Sequence, residues 1–121
     1  MESSLERFRR ERERLNAVVH EQGTRTTARF FNLDGAAYRE GALPAATKEL
    51  LGLVASLVLR CEDCIRYHLI RCVEEGHSRQ ALVEAMDVAL VVGGSILIPH
   101  LRRAHADLAE LLGEAGAEPR P

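Results

Sequence analysis

The segment AATKELLGLVASLVLRCEDCIRYHLIRCVEEG, residues 45–76, decides the fold of this chain. Apolar side chains recur in it at three- and four-residue spacing, which is the period of an α-helix, and Gly52 is its only glycine before the end. One unbroken helix of about 30 residues would be long for a small globular protein. We therefore predict two helices that separate near Arg60 and Cys61, with a cysteine pair at the start of the second.

The segments on either side also have helical periodicity. Residues 2–22 predict a helix of mixed charge with an apolar stripe formed by Leu5, Phe8, Leu15, Val18 and Val19. Residues 26–38 predict a shorter helix, which the Asp34-Gly35 step could interrupt. Two further helices are predicted over residues 79–92 and 96–112, because the β-branched residues near their junction have no second strand to pair with. The sequence therefore predicts an all-α bundle of about five or six helices.

Length and hydrophobicity together predict one domain. The chain has 121 residues, and its hydrophobic fraction of 46% is enough for a core. We divide residues 1–121 into an N-terminal helical extension (residues 1–24), a core (residues 25–112) and a flexible tail (residues 113–121). The apolar stretch around residues 88–98 is expected to lie in the core or in a contact between copies of the chain.

The composition argues against several classes of partner. The net charge is only −2 and aromatic residues make up 4%, without tryptophan, so the basic and stacking side chains that bind nucleic acid are scarce. The N-terminal segment is charged where a secretory signal is apolar, and the longest apolar run, residues 88–99, is too short to span a bilayer. We expect a cytoplasmic protein that binds neither nucleic acid nor membrane.

The three cysteines are the chemically informative residues. An odd number in a chain expected to be cytoplasmic does not suggest a structural disulfide framework, and a CxxC pair there is typical of catalysis or metal binding. The sequence contains neither GxGxxG nor a P-loop. We expect no flavin, haem or nucleotide cofactor.

The stretch CEDCIRYH places two thiols and an imidazole on one helical face. Cys61, Cys64, His68 and Cys72 follow one another at intervals of three, four and four residues. Two cysteines three apart at a helix start can close a disulfide, and the helix N-terminus favours a thiolate. His68 is within reach to take the proton of Cys64. Cys72, two turns beyond Cys64, is expected in the core.

Charges beside the cysteines act in opposite directions. Glu62 and Asp63 raise a neighbouring thiol pKa through their negative charge, and Arg60 and Arg66 could offset them. Glu49 lies in an apolar setting on the preceding helix. If the two helices pack antiparallel, its carboxylate could reach the imidazole of the second helix, although most glutamates face solvent.

Three kinds of function compete for these residues. In a redox enzyme, one cysteine of the pair attacks an oxidant and the other then closes the disulfide. In a zinc site, the two cysteines and His68 would need Glu49 or His100 as a fourth ligand, a spacing that differs from the common zinc patterns. In a non-enzymatic helical protein, the cysteines are small buried hydrophobes.

The pattern Glu49-x11-Cys61-x2-Cys64-x3-His68 resembles the signature of the alkylhydroperoxidase D-like (AhpD-like) branch of the carboxymuconolactone decarboxylase family. The preceding GALPAATKELLGLVASLVLRC and the following GHSRQALVEAMDVALVVGG are similar to the helices that flank CxxC in that family. The similarity covers roughly residues 25–112. Four residue types at this spacing are far more specific than CxxC alone.

The resemblance implies an all-α homo-oligomer, often a trimer or hexamer, that acts as a thiol-dependent peroxidase or disulfide reductase. It implies that Cys64 is the thiol activated by His68, that Cys61 is its disulfide partner and the contact for an external thiol reductant, and that Glu49 begins the proton relay. The decarboxylase branch generally lacks CxxC. The family often has histidine or an aromatic residue before the second cysteine, where this chain has Asp63.

Overall fold

A helical hairpin lies at the centre of the fold. The computed structural model describes residues 1–114, and in it helices α3 (Ala45–Leu59) and α4 (Glu62–Glu74) are joined by a two-residue turn. Arg60 has left-handed backbone angles, φ 59° and ψ 41°. Its N–H and that of Cys61 bond to carbonyls in the last turn of α3, which ends that helix. The predicted break near Arg60 and Cys61 is confirmed.

Four further helices surround this hairpin. They are α1 (Ser4–Gln22), α2 (Arg25–Ala37), α5 (Arg79–Gly93) and α6 (Ile98–Leu111), with a 3₁₀ turn at Ser95–Leu97. Residues 1–114 contain helices and turns but no strand, so the predicted all-α fold of about six helices is confirmed. None of the described helices is both long and apolar enough to cross a membrane.

Local sequence explains most of the helix boundaries. Ser78 accepts a hydrogen bond from the N–H of Ala81 and so caps α5, and Pro99 lies in the first turn of α6. The Asp34-Gly35 step does not interrupt α2, contrary to the possibility raised by its sequence. Most of the tail predicted for residues 113–121 lies outside the described residues.

The core is built by α3 to α6. The α3–α4 hairpin packs against α5 through α3 and against α6 through α4. The largest fully buried side chains are aliphatic or sulfur-containing and come from both hairpin helices and from the elements packed against them: Leu53, Leu57, Ile65, Leu69, Cys72, Leu82, Met86, Leu97 and Leu108. This core holds α3 and α4 side by side, and their facing side chains form the site described next.

The first two helices lie at the periphery. Of the apolar stripe predicted in α1, only Leu5 is buried in the single chain, while Leu15, Val18 and Val19 are exposed. Ser3 caps α1 in a capping box with Glu6. Helix α2 buries none of its residues. Within one chain, therefore, only the beginning of α1 is held by a buried apolar residue.

Candidate active site

The centre of the site is a contact between the facing sides of α3 and α4. Glu49 on α3 and His68 on α4 are only 3% and 9% exposed, and the ring Nδ1 of His68 lies 2.9 Å from Oε2 of Glu49. A carboxylate can only accept, so Nδ1–H donates. The other oxygen, Oε1, is 3.8 Å from Nε of Arg71. The expectation that most glutamates face solvent is wrong for Glu49.

Tyr38, at the C-terminal end of α2, completes a row of three polar side chains. Its hydroxyl oxygen lies 3.3 Å from Nε2 of His68, and the two rings are 5.2 Å apart between centroids. In the neutral ring whose Nδ1–H donates to Glu49, Nε2 carries the lone pair, so the Tyr38 hydroxyl donates to it. Burial and the nearby carboxylate of Glu49 raise the pKa of Tyr38.

Gly52 makes this arrangement possible. A Cβ atom at this position would lie 2.8 Å from Cε1 of His68 and 2.8 Å from the hydroxyl of Tyr38. Both distances are shorter than ordinary van der Waals contact, so a larger residue would displace the imidazole or the phenol. Glu49 and Gly52 are three residues apart and share one face of α3. One supplies the carboxylate and the other the space for the ring.

The cysteine pair lies at the N-terminal end of α4. Cys61 is the N-cap residue and Cys64 belongs to the first turn, and the two are joined in a disulfide with a Cα–Cα distance of 5.2 Å. The backbone N–H of Cys64 donates to Sγ of Cys61 at 3.3 Å. Cys64 is exposed and Cys61 is half-buried. The Cys61 sulfur therefore caps the N-terminal end of α4, where the helix dipole stabilises a thiolate.

His68 lies one turn beyond Cys64 on the same helix. In this oxidised form its two ring nitrogens are engaged by Glu49 and Tyr38, and none of the hydrogen bonds found within residues 1–114 joins it to either cysteine. The four predicted site residues thus form two adjacent pairs, Glu49 with His68 and Cys61 with Cys64. Tyr38 was not among the predicted site residues.

Two charged residues beside the cysteines, Glu62 and Arg66, pair with residues of α6. Glu62 contacts the Nδ1 of His100 and the guanidinium of Arg103 on α6. Arg66, which the sequence suggested could offset the acidic residues, instead donates to Asp107 at 2.9 Å. Burial raises the pKa of Asp107, and the Arg66 charge opposes that rise. Neither His100 nor Arg66 is therefore directed toward the thiols.

Helix α1 forms one wall of a cleft that reaches the first turn of α4. The cleft, of about 340 Å³, is lined by five residues of α1 and one of α4: Phe8, Glu11, Arg12, Leu15, Asn16 and Asp63. The guanidinium of Arg12 lies 3.9 Å above the centre of the Tyr67 ring. The cleft thus meets α4 at Asp63, the residue before Cys64.

The remaining cysteine and a nearby histidine have structural positions. Cys72 is free and fully buried in the core, and its burial raises the pKa of the thiol to about 12. His77 lies in the turn after α4 and is half-buried, and its Nε2–H donates to the carbonyl of Ala46 at 2.7 Å. This bond ties the turn after α4 to the start of α3.

The zinc hypothesis requires Cys61, Cys64 and His68 to converge with Glu49 or His100 on one ion. Within residues 1–114, no three histidine, cysteine, aspartate or glutamate side chains are grouped so that they could hold one ion. His100, one of the two candidates for a fourth ligand, contacts Glu62 instead. The described geometry therefore lends no support to a zinc site built from these side chains.

The fold and the site together define a class of protein, an all-α bundle with a CxxC pair and a Glu–His pair on adjacent helices. A sequence model of the carboxymuconolactone decarboxylase family matches residues 25–107, and the chain belongs to this family. The match begins at the first residue of α2 and includes Glu49 and the CEDCIRYH stretch. Helix α1 lies before it.

Two uncharacterized bacterial proteins are related in sequence. One, from Cupriavidus necator, is 32% identical over 59 residues, which are 49% of this chain and 52% of that protein. The other, from Paracoccus denitrificans, is described as uncharacterized protein 4 in cox locus and is 30% identical over 84 residues, 69% of this chain and 76% of that protein. The chain thus spans about half the length of the first relative.

Solved structures have the same fold. Two crystal structures of a Thermotoga maritima protein match with TM-scores of 0.87 and 0.84 at 62% and 57% identity, covering 88% and 95% of this chain and 94% and 99% of theirs. One description names a family protein and raises its involvement in an antioxidative response as a possibility. A Legionella pneumophila family protein, 23% identical, matches at 0.81 over 88% of this chain and 96% of its own.

Proposed function

We propose that this protein is a thiol-dependent oxidoreductase of the AhpD-like type, which reduces a hydroperoxide or a disulfide. The observation that carries the proposal is the Cys61–Cys64 disulfide at the start of the helix that also carries His68, whose ring is held by the buried Glu49. Such a bridge is the oxidised form of a dithiol pair. Lactone decarboxylation has no use for a redox pair, so the cysteines favour thiol chemistry.

In the first step, reduced Cys64 is the nucleophile. The N-terminus of α4 favours its thiolate, and Nε2 of His68 accepts the thiol proton while Glu49 stabilises the resulting imidazolium. The thiolate attacks one oxygen of the hydroperoxide, so that an S–O bond forms and the O–O bond breaks. The departing alkoxide takes the proton back from His68 and leaves as an alcohol, the imidazole becomes neutral again, and Cys64 becomes a sulfenic acid.

In the second step, Cys61 resolves the sulfenic acid. Its sulfur attacks that of Cys64, the S–S bond forms, the S–O bond breaks and water leaves. The hydroperoxide has then gained two electrons and the two thiols have lost them. An external dithiol attacks Cys61, releases the thiolate of Cys64 and restores both thiols by exchange. A disulfide substrate would enter by the same exchange in reverse.

The relatives add limited support to this chemistry. The description of the Thermotoga maritima protein mentions an antioxidative response, and that protein is 57% identical to this chain. Hydroperoxide reduction by a dithiol pair is a reaction of that kind. The cleft that Asp63 lines is a place where the organic part of a substrate could bind, one residue along the chain from Cys64.

The proposal includes a homo-oligomer, a trimer or hexamer as the resemblance implies. Phe30 and Leu33 on α2, and Val91 and Val92 near the end of α5, each expose between 66% and 85% of their surface in the single chain. Apolar side chains exposed to this degree on two helices are typical of surfaces that pack against another copy. Helix α2, which buries none of its own residues, has the most to gain from such a contact.

Three variants, each with one cysteine replaced, test the redox function. Cys64→Ser should abolish consumption of a hydroperoxide in the presence of a dithiol reductant, because no nucleophile remains. Cys61→Ser should react once and stop, because the sulfenic acid on Cys64 has no resolving thiol, and dimedone should trap it. Cys72→Ala is the matched control, since it removes a buried thiol outside the site, and its rate should stay within about twofold of wild type.

The measurement is the rate of hydroperoxide loss, with the mass of the dimedone adduct located by peptide mapping. Unchanged turnover in Cys64→Ser would contradict the proposal, because the reaction would then not depend on this sulfur. A Cys61→Ser variant that turned over repeatedly would contradict the role of Cys61.

A further inference from the structure

We propose that Tyr38 is a positioning residue for His68, which holds the imidazole with Nε2 as its unprotonated nitrogen. The inference rests on the proposed function for its catalytic consequence, but the contact itself can be measured without turnover. It starts from the hydroxyl of Tyr38, 3.3 Å from the ring nitrogen opposite the one bound by Glu49.

Glu49 and Tyr38 contact different nitrogens of the His68 ring, and both contacts fit the same tautomer. The carboxylate of Glu49 accepts the Nδ1–H, and this places the lone pair on Nε2. A hydroxyl can donate to that lone pair and can accept from Nε2–H once the ring is protonated. Tyr38 can therefore bond to His68 in both states of the ring: its hydroxyl donates to Nε2 while the ring is neutral, releases that lone pair when the proton of Cys64 is taken up, and then accepts from Nε2–H. A phenylalanine could do neither.

The position of Tyr38 is fixed by the chain on its C-terminal side. The ammonium of Lys48 donates to the carbonyl of Arg39 at 2.6 Å, and the N–H of Ala45 donates to Oε1 of Glu40 at 2.9 Å. Both bonds join the segment directly after Tyr38 to the beginning of α3. The phenol is thereby held over the same helix that carries the carboxylate partner of His68.

Gly52 gives independent support for a close and specific contact. A Cβ there would be 2.8 Å from the Tyr38 hydroxyl and 2.8 Å from the His68 ring, so the backbone of α3 lies against the place where the two side chains meet. A glycine inside a helix costs about 1 kcal/mol relative to alanine. The close packing explains why a side chain is missing at this point of an otherwise aliphatic helix.

The second aromatic residue at His68 provides a matched control. The ring of Tyr67 meets that of His68 edge-on at 5.1 Å between centroids, whereas the hydrogen bonds of His68 found within the described residues are to Tyr38 and Glu49. Tyr67→Phe therefore removes the hydroxyl of a second ring that packs on His68 and leaves the Nε2 contact in place. Tyr38→Phe removes the hydroxyl that donates to Nε2 and keeps the aromatic ring.

The test combines ¹⁵N NMR of the histidine rings in the disulfide form with the rate of Cys64 oxidation by hydroperoxide in the reduced form. In Tyr38→Phe, the Nε2 resonance of His68 should move downfield, because a hydrogen bond accepted by an imine nitrogen shields it. The oxidation rate should fall about three- to tenfold, the equivalent of one hydrogen bond. Tyr67→Phe should change neither, and circular dichroism should show that both variants are folded.

The resonance tests the Tyr38–His68 hydrogen bond, and the rate tests its effect on the oxidation of Cys64. An Nε2 resonance unchanged in Tyr38→Phe would overturn the inference, and so would a shifted resonance with an unchanged rate. If wild type shows the resonance expected for a bonded Nε2 but its Cys64 does not react with hydroperoxide at all, the proposed function fails while the Tyr38–His68 contact stands.

Discussion

Glu49 is a carboxylate placed among aliphatic side chains, and its burial is compensated by two partners. His68 bonds one oxygen and the guanidinium of Arg71 lies near the other. An unpaired carboxylate in this position would cost on the order of several kcal/mol, so the pairing explains how a glutamate can be buried there. The same pairing makes Glu49 the group that orients the imidazole.

Glu49→Gln should slow oxidation of Cys64 by about 100-fold, the lower end of what a positioned base contributes, and should change the pH profile of the rate. The amide still fills the space but cannot stabilise an imidazolium by charge. The measurement is stopped-flow oxidation of the reduced protein across pH. Glu74→Gln is the control, because it removes an exposed carboxylate that pairs with the same arginine at 2.8 Å.

A Glu49→Gln protein that matched wild type in both rate and pH profile would remove Glu49 from the relay. Retained helical circular dichroism is expected in both variants, because the glutamine keeps the size and the hydrogen-bond acceptor of the glutamate.

At the level of single residues, sequence spacing predicted the Glu49–His68 pair and the cysteine pair but not Tyr38. The four predicted residues are tied by intervals along one helical hairpin, and helical geometry translates those intervals into faces. Tyr38 reaches the site from α2 across a loop, and its direction depends on tertiary packing. Gly52, the lone glycine of α3, was the available signal that something approaches this face closely.

At the level of helices, the turn between α3 and α4 sets the position of the cysteines. Arg60 adopts left-handed backbone angles, which cost an L-residue about 1 kcal/mol and cost glycine nothing extra. The next residue, Cys61, caps α4 with its sulfur. The sequence predicted a break here from helix length, whereas the choice of Arg60 as the left-handed residue could not be read from its type.

Arg60→Gly should be more stable than Arg60→Ala by about 0.5–1 kcal/mol, because only alanine keeps the Cβ that is strained at positive φ. The two variants lose the same charged side chain, so each is the control of the other. Urea unfolding of the disulfide form gives the free energies. Equal stabilities, or a more stable alanine variant, would mean that the turn does not have the left-handed geometry of Arg60.

At the level of the whole molecule, α1 and α2 remain incompletely packed in one chain. Leu5 anchors the start of α1, whereas the apolar residues farther along it are exposed, and α2 buries nothing. Sequence periodicity identified an apolar stripe in α1. Periodicity alone does not tell whether such a stripe packs against its own chain or against another copy.

Val91→Glu should lower the mass of the assembly measured by light scattering, because the change would place charge on an apolar surface that is 85% exposed in the single chain. Gln80→Glu, an equally charged change at an exposed polar position of the same helix, should leave the mass unchanged. A wild-type protein that is monomeric across the measured concentrations would contradict the proposed oligomer.

The central claim is that Cys61 and Cys64 cycle between dithiol and disulfide. The most direct measurement is the intact mass of reduced protein after about one equivalent of an organic hydroperoxide, followed by alkylation and peptide mapping. We expect rapid loss of two hydrogen atoms and a Cys61–Cys64 bridge. Cys72 should stay unmodified, because burial raises the pKa of its thiol to about 12 and the thiol remains protonated at neutral pH. If the hydroperoxide treatment left both thiols reduced, so that both were alkylated, Cys61 and Cys64 would not reduce the hydroperoxide. That result would contradict the proposed redox cycle.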